Sequence, residues 1–175
     1  MFDEKPFHPN AISIIDHYGM HRHPEGGYYL ETYRSTGSIP QQALPGGFSG
    51  DRAYATAILY LLEAGERSNL HRIRQDETWH FYLGGPLLLV AISPDGAFSE
   101  IRLGQDIANG EHLQYTVPAG YWFGATPMAD TDYSLVGCTV APGFDFADFE
   151  MGGRDRLTEL FPNLVSTIRA FTPSE

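Results

Sequence analysis

The segment from Gly65 to Gly84, GERSNLHRIRQDETWHFYLG, constrains the fold most. Its glycines bracket a fixed spacing: five residues to His71, one more to Ile73, three more to Glu77 and six more to Gly84. On a strand, residues two apart share a face, so His71 and Ile73 point the same way, as do Glu77, Trp79 and Phe81. The Gln75–Asp76 region reads as the turn between two strands. If His71 faces inward, Ile73 does too, and Glu77 meets His71 across the hairpin. A histidine beside a carboxylate in a partly dry cavity is a proton-transfer pair, because the carboxylate orients the imidazole and raises its basicity. A purely structural His–Glu hydrogen bond is the competing reading.

The flanking sequence repeats this rhythm of short strands and turns. Tyr28–Arg34, AYATAILYLL, PLLLVAI, AFSEIRL, LQYTV, YWFGA and YSLVGCTV read as strands, with Pro94-Asp95-Gly96 as a tight turn. Such spacing predicts an all-β sandwich or barrel. Asn10 is a suitable N-cap for a short helix over AISIIDHY that stops at Gly19. The tail from Gly153 has helical periodicity broken at Pro162. Residues 35–51, with Pro40, Pro45 and four glycines, read as a long loop suited to a lid or a contact surface.

Composition narrows the function. The 175 residues suit one domain, with a barrel core over about 26–150. The net charge is -11, and ten of the eleven basic residues are scattered arginines, which disfavours a nucleic-acid partner. No apolar run is long enough to span a bilayer, and MFDEKPFHPN lacks the apolar region of a secretory leader. The lone cysteine, Cys138, fits a reducing compartment, so a cytoplasmic location is expected.

The Gly65–Gly84 spacing resembles the first signature of the cupin superfamily, G-x5-H-x-H-x3-E-x6-G, with Ile73 in place of the second histidine. The second signature, G-x5-P-x-G-x2-H-x3-N, is matched at Pro118 and Gly120, whereas His112, Phe123 and Pro127 replace its Gly, His and Asn. The resemblance implies a double-stranded β-helix, the cupin jelly roll, with a short N-terminal helix and a helical C-terminal tail. Of four expected metal ligands only His71 and Glu77 remain, fewer than the three that catalytic sites normally use. The expectation is a site without a metal cofactor. If a metal binds, His71, Glu77 and His80 are its expected ligands, although His80 has the wrong strand parity unless a bulge rotates it inward.

HPEGGYYLETYRS, SNLHRIRQDETWHFYLGGPL and VAPGFDFADFE further resemble a cupin subfamily of largely unassigned function, similar in fold to deoxysugar-nucleotide 3,5-epimerases. The resemblance implies a homodimer. The expected pocket places His71 as base and Glu77 as the residue that orients it, with Ile73, Trp79, Phe123, Arg34 and Tyr133 around a small polar metabolite. Metal-independent isomerisation or epimerisation of a sugar or sugar nucleotide is one expectation. A non-catalytic metabolite-binding pocket is another, and a metal-dependent oxygenase or isomerase a third. His21 and His23 form an H-x-H pair in a loop, which carries little weight by itself.

Overall fold

A computed structural model describes residues 9–173. Eight of the ten N-terminal residues on which the leader expectation rests therefore lie outside the described residues. Two antiparallel sheets face each other as a jelly roll. The first has the order β1 (His21–Arg22), β2 (Tyr28–Arg34), β5 (Thr56–Glu63), β12 (Tyr133–Ala141), β7 (Asp76–Gly84) and β10 (Gln114–Val117). The second has the order β13 (Glu150–Met151), β6 (Ser68–Arg72), β11 (Trp122–Pro127), β8 (Leu87–Ile92) and β9 (Phe98–Leu103). A separate ribbon pairs β3 (Ser38–Ile39) with β4 (Arg52–Ala53), so the 35–51 loop carries some order of its own.

Strand parity decides what enters the space between the sheets. Ile73, Trp79, Phe81, Leu89, Phe123, Val136 and Cys138 interdigitate there with Tyr60 and Leu62. The outer face of the second sheet is equally dry. Helices α2 (Arg154–Leu160) and α3 (Val165–Ala170) lay Leu157 and Ile168 over Leu70, Val90, Ile92 and Trp122. This is why β6 is buried on both faces, with Leu70 turned to the helices and His71 to the interior. Helix α1 (Ala11–Tyr18) begins where expected: the Asn10 side chain accepts from the Ser13 N–H at 2.8 Å. Its Ile14 packs with Leu61 and Leu135 of the first sheet.

The hairpin expected between His71 and Glu77 does not form. β6 and β7 belong to different sheets, so the chain crosses the sandwich at Gln75 and the two side chains approach from opposite walls. That crossing is anchored by a buried polar cluster. Arg52 donates to both carboxylate oxygens of Asp148 at 2.7 Å, and Gln75 Nε2 donates to Asp148 Oδ2 at 2.7 Å. The Arg52 and Asp148 side chains are 4% and 0% exposed, so neither charge has water to fall back on. Removing Arg52 leaves the buried Asp148 with Gln75 and, at 3.8 Å, the half-exposed Arg74 as its remaining partners. Arg52→Met is expected to lower stability by about 3–5 kcal/mol in urea denaturation; a loss near zero would show the pair to be dispensable.

Candidate functional site

Three segments converge at one end of the sandwich. β6 delivers His71, which sits directly opposite Phe123 of β11, with ring centroids 4.2 Å apart. β7 delivers Glu77 from the facing sheet, paired with Val140 of β12 and Val117 of β10. The loop between β1 and β2 delivers His23 and Glu25. Gly26 follows at φ +116°, and a Cβ there would lie 2.1 Å from the Arg67 carbonyl oxygen, so only glycine lets this loop press against the barrel. Together they line a cavity of about 450 Å³ with Ile73, Cys138 and Val140 deep inside.

Glu25 is the hub. Its carboxyl accepts from Ser68 Oγ at 2.9 Å, and its Oε2 lies 3.1 Å from His71 Nε2 and 3.3 Å from His23 Nδ1. The tautomers follow from the other partners. His71 Nδ1 lies 2.8 Å from the Asn69 carbonyl and must donate to it, which leaves a lone pair on Nε2 when the ring is neutral. His23 Nδ1 accepts from the Glu25 backbone N–H at 3.3 Å, which makes it an acceptor too. A carboxylate at Oε2 would therefore face two lone pairs. A single proton on Glu25 satisfies the arrangement, and burial favours that neutral form.

The proton affinities agree. Burial raises Glu25, against the opposing charge of His23 and the Ser68 hydrogen bond. Burial lowers His71 to about 4, against the Asn69 hydrogen bond. Burial lowers His23 as well, with Glu25 opposing. On the facing wall, burial pushes Glu77 up to about 8, with the charge of Glu25 adding to the rise whenever that group ionises, while a hydrogen bond from the Cys138 thiol opposes. At neutral pH the cavity thus holds neutral imidazoles on one side and a neutral carboxylic acid on the other.

The mouth is built differently. Glu31 and Arg34 both reach the rim because a β-bulge at Thr32 shifts the register of β2 against β5 and reverses the parity between them. Arg34 is already engaged: Nε and Nη2 donate to Glu31 at 2.9 and 2.7 Å, and both terminal nitrogens donate to the Phe144 carbonyl at 3.1 Å. Phe144, Phe146 and Phe149 form an aromatic wall with edge-to-face contacts, and Phe149 stacks on His71 at 5.3 Å.

Of the expected site residues, His71, Glu77, Ile73 and Arg34 line this cavity. Trp79 and Phe123 point inward but lie beneath the floor, both 1% exposed, so Trp79 cannot stack on a ligand. Tyr133 lies outside the cavity and donates to the Pro9 carbonyl at 2.8 Å. His80 stays on the outer face, 2.9 Å from Thr139 Oγ1, because the bulge between β7 and β12 falls beyond it at Tyr82. The ring nitrogens of His71 meet Glu25 and the Asn69 carbonyl rather than Glu77. No residue of the 35–51 loop lines the cavity. His23 and Glu25 stand in the HPEGG block, and the aromatic wall in VAPGFDFADFE. The signal was present in both, but nothing in the spacing ties them to His71.

The residues do not fit a metal. Ile73 and Phe123 place hydrocarbon at two of the four ligand positions, and the ring nitrogens of His71 are taken up by Glu25 and the Asn69 carbonyl. Among the described residues no three His, Cys, Asp or Glu side chains gather in a ligating arrangement.

These proton affinities have opposite consequences for stability. Unfolding returns His71 to its ordinary 6.5, so the unfolded chain binds a proton that the folded chain refuses, and stability falls as pH drops from about 6.5 toward 4. Glu77 contributes fully below its ordinary 4.5, and the contribution is lost as pH rises toward about 8, because the unfolded chain releases a proton that the folded chain keeps. Glu25 shares that sign. From pH 6.5 to 8 stability is expected to fall, by up to about 1.4 kcal/mol per pH unit for each retained proton. Glu77→Gln should flatten that slope by one proton in urea titrations at the two pH values; an unchanged slope would contradict a protonated Glu77.

A family model described as Cupin superfamily (DUF985) matches residues 12–152. An uncharacterized protein of Saccharomyces cerevisiae is 29% identical over 165 residues, which is 89% of this chain and 82% of the yeast protein. A solved structure from Shewanella oneidensis has a TM-score of 0.84 at 36% identity, over 95% of this chain and 99% of that one. A hypothetical protein from Leishmania major gives 0.86 at 34% identity, over 95% and 100%. Oxalate decarboxylase from Bacillus subtilis gives 0.53 at 14% identity, over 89% of this chain and 38% of that one, a likeness of fold alone. Jelly-roll topology, the spacing around His71 and Glu77, and the match over most of the chain lead to one statement: this protein belongs to the cupin superfamily, in the DUF985 family.

Proposed function

We propose that the cavity carries out metal-independent proton transfer at a carbon next to a carbonyl, isomerising or epimerising a small sugar. The observation that carries this reading is the buried Glu25 carboxyl within 3.1 and 3.3 Å of two imidazole nitrogens, set across the cavity from a second buried carboxyl, Glu77. Isomerisation and epimerisation both need one group to take a proton and another to give one. Groups on opposite sheets flank a ligand from two sides, which suits that exchange.

His71 Nε2 is the acceptor on one wall. It takes the substrate proton when the shared Glu25 proton rests toward His23 Nδ1; Nδ1–H of His71 stays on the Asn69 carbonyl and Glu25 holds the ring in place. Glu77 is the donor on the other wall, and its raised proton affinity keeps the proton available near neutrality. Ile73, Val140 and the phenylalanines limit water, which strengthens these interactions. The volume of about 450 Å³ lies in the range of small-molecule pockets.

The charge at the mouth favours an uncharged reacting moiety. Glu31 and Asp145 line it, and the guanidinium of Arg34 is occupied by Glu31 and the Phe144 carbonyl. If the substrate is a sugar nucleotide, its phosphates belong outside the cavity. The aromatic wall alone supports a second reading, a pocket that binds a sugar without turning it over.

Proton NMR in deuterium oxide with a panel of ketoses, aldoses and sugar nucleotides separates the two. Wash-in of deuterium next to the carbonyl of one sugar is expected, reduced at least about 100-fold in Glu77→Gln and in His71→Asn. Saturable binding of a panel member with no wash-in would overturn the enzymatic reading in favour of the second.

A further inference from the structure

Four of the ten arginines, Arg22, Arg67, Arg154 and Arg169, line one open groove of about 520 Å³. Among the described residues Glu66 is its only acidic lining residue, against the four arginines. They come from β1, the β5–β6 turn, α2 and α3, and gather on a chain whose net charge is -11.

Capping of α3 explains part of this cluster. Arg67 donates to the Ala170 carbonyl. Arg154 donates from Nε to Thr172 Oγ1 at 2.9 Å, and from Nη2 to the Thr172 and Arg169 carbonyls at 2.6 and 3.1 Å. These bonds satisfy carbonyls at the helix C-terminus. They do not exhaust the arginines, because each guanidinium carries five N–H donors. Arg67 uses Nη1 alone, and Nη1 of Arg154 is unused. Arg22 pairs with Glu66 and lies 3.9 Å over the Tyr28 ring. The Arg169 guanidinium makes no hydrogen bond or ion pair among the described residues; Arg154 engages only the carbonyl of that residue. The capping bonds also hold two guanidinium groups in fixed orientations, which reduces the ordering cost of binding an anion.

The groove backs onto the cavity. Gly26, Gly27 and Asn69 line it, and Asn69 donates from its backbone N–H and from Nδ2 to the Glu25 carbonyl, each at 2.8 Å. The Asn69 carbonyl is the acceptor for His71 Nδ1.

We propose that this groove is a binding site for a small phosphate-bearing anion, seated behind the loop that carries Glu25. Two or more phosphoryl groups suit several guanidinium forks better than a single carboxylate does. The binding claim stands apart from the chemistry proposed for the cavity.

Pyrophosphate is the probe. Isothermal titration and amide NMR are run on the full chain at constant ionic strength, with chloride as the control and citrate as a non-phosphate trianion. One saturable site is expected, with shifts at Gly26, Gly27 and Asn69. Arg169→Gln and Arg22→Gln, which leave the α3 caps intact, should each weaken binding at least about tenfold while thermal melts stay unchanged. No binding beyond the chloride control, or equal affinity in both variants, overturns the site. Citrate bound as tightly as pyrophosphate overturns the phosphate assignment.

Discussion

Everything at the open end of the barrel hangs on one buried carboxyl. Glu25 is 6% exposed and touches Ser68, His23 and His71, while its backbone carbonyl accepts two bonds from Asn69. An isolated carboxylate at that depth would be costly, and protonation with shared hydrogen bonds is the way out. The same contacts tie the β1–β2 loop to β6, so the proton that makes the group tolerable also closes this end of the cavity. Polar chemistry and loop placement are therefore a single arrangement, bounded by the dry face that α2 and α3 give to β6.

The departures from the cupin metal signature fit that arrangement. Where two donors are expected, Ile73 and Phe123 bring hydrocarbon against His71. The imidazole is then free to face a carboxyl from another segment, and its proton affinity falls because its surroundings are apolar. The barrel geometry survives the exchange because register, set by β6 against β11, depends on backbone pairing and packing rather than on the ligand atoms.

Strand parity made half of the site legible. His71, Ile73 and Glu77 face inward as two-residue periodicity requires, and His80 faces out for the same reason. Parity gives direction but not depth, which is why Trp79 and Phe123 share the inward face yet sit beneath the floor. Nor does it say which sheet a strand joins, so a turn at Gln75 read as a hairpin where the chain in fact crosses between sheets. Arg34 reaches the rim only through the bulge at Thr32, a feature with no proline or glycine to announce it. Glu25 and His23 lie some fifty residues from His71, in a loop whose destination depends on tertiary packing.

The anchor at Asp148 has a bearing on how this pocket can diversify. The aromatic wall is carried on a short segment pinned by Asp148, whose partners Arg52 and Gln75 lie outside the cavity wall. Phe146, half exposed at 50%, stands two residues before that pin and contributes little to the core. Substitutions there alter the width and chemistry of the entrance while the hydrophobic interior and the acid–base cluster keep their geometry. Such a division, with a stable base and a replaceable lip, lets related sequences change what they admit without first having to restabilise the barrel.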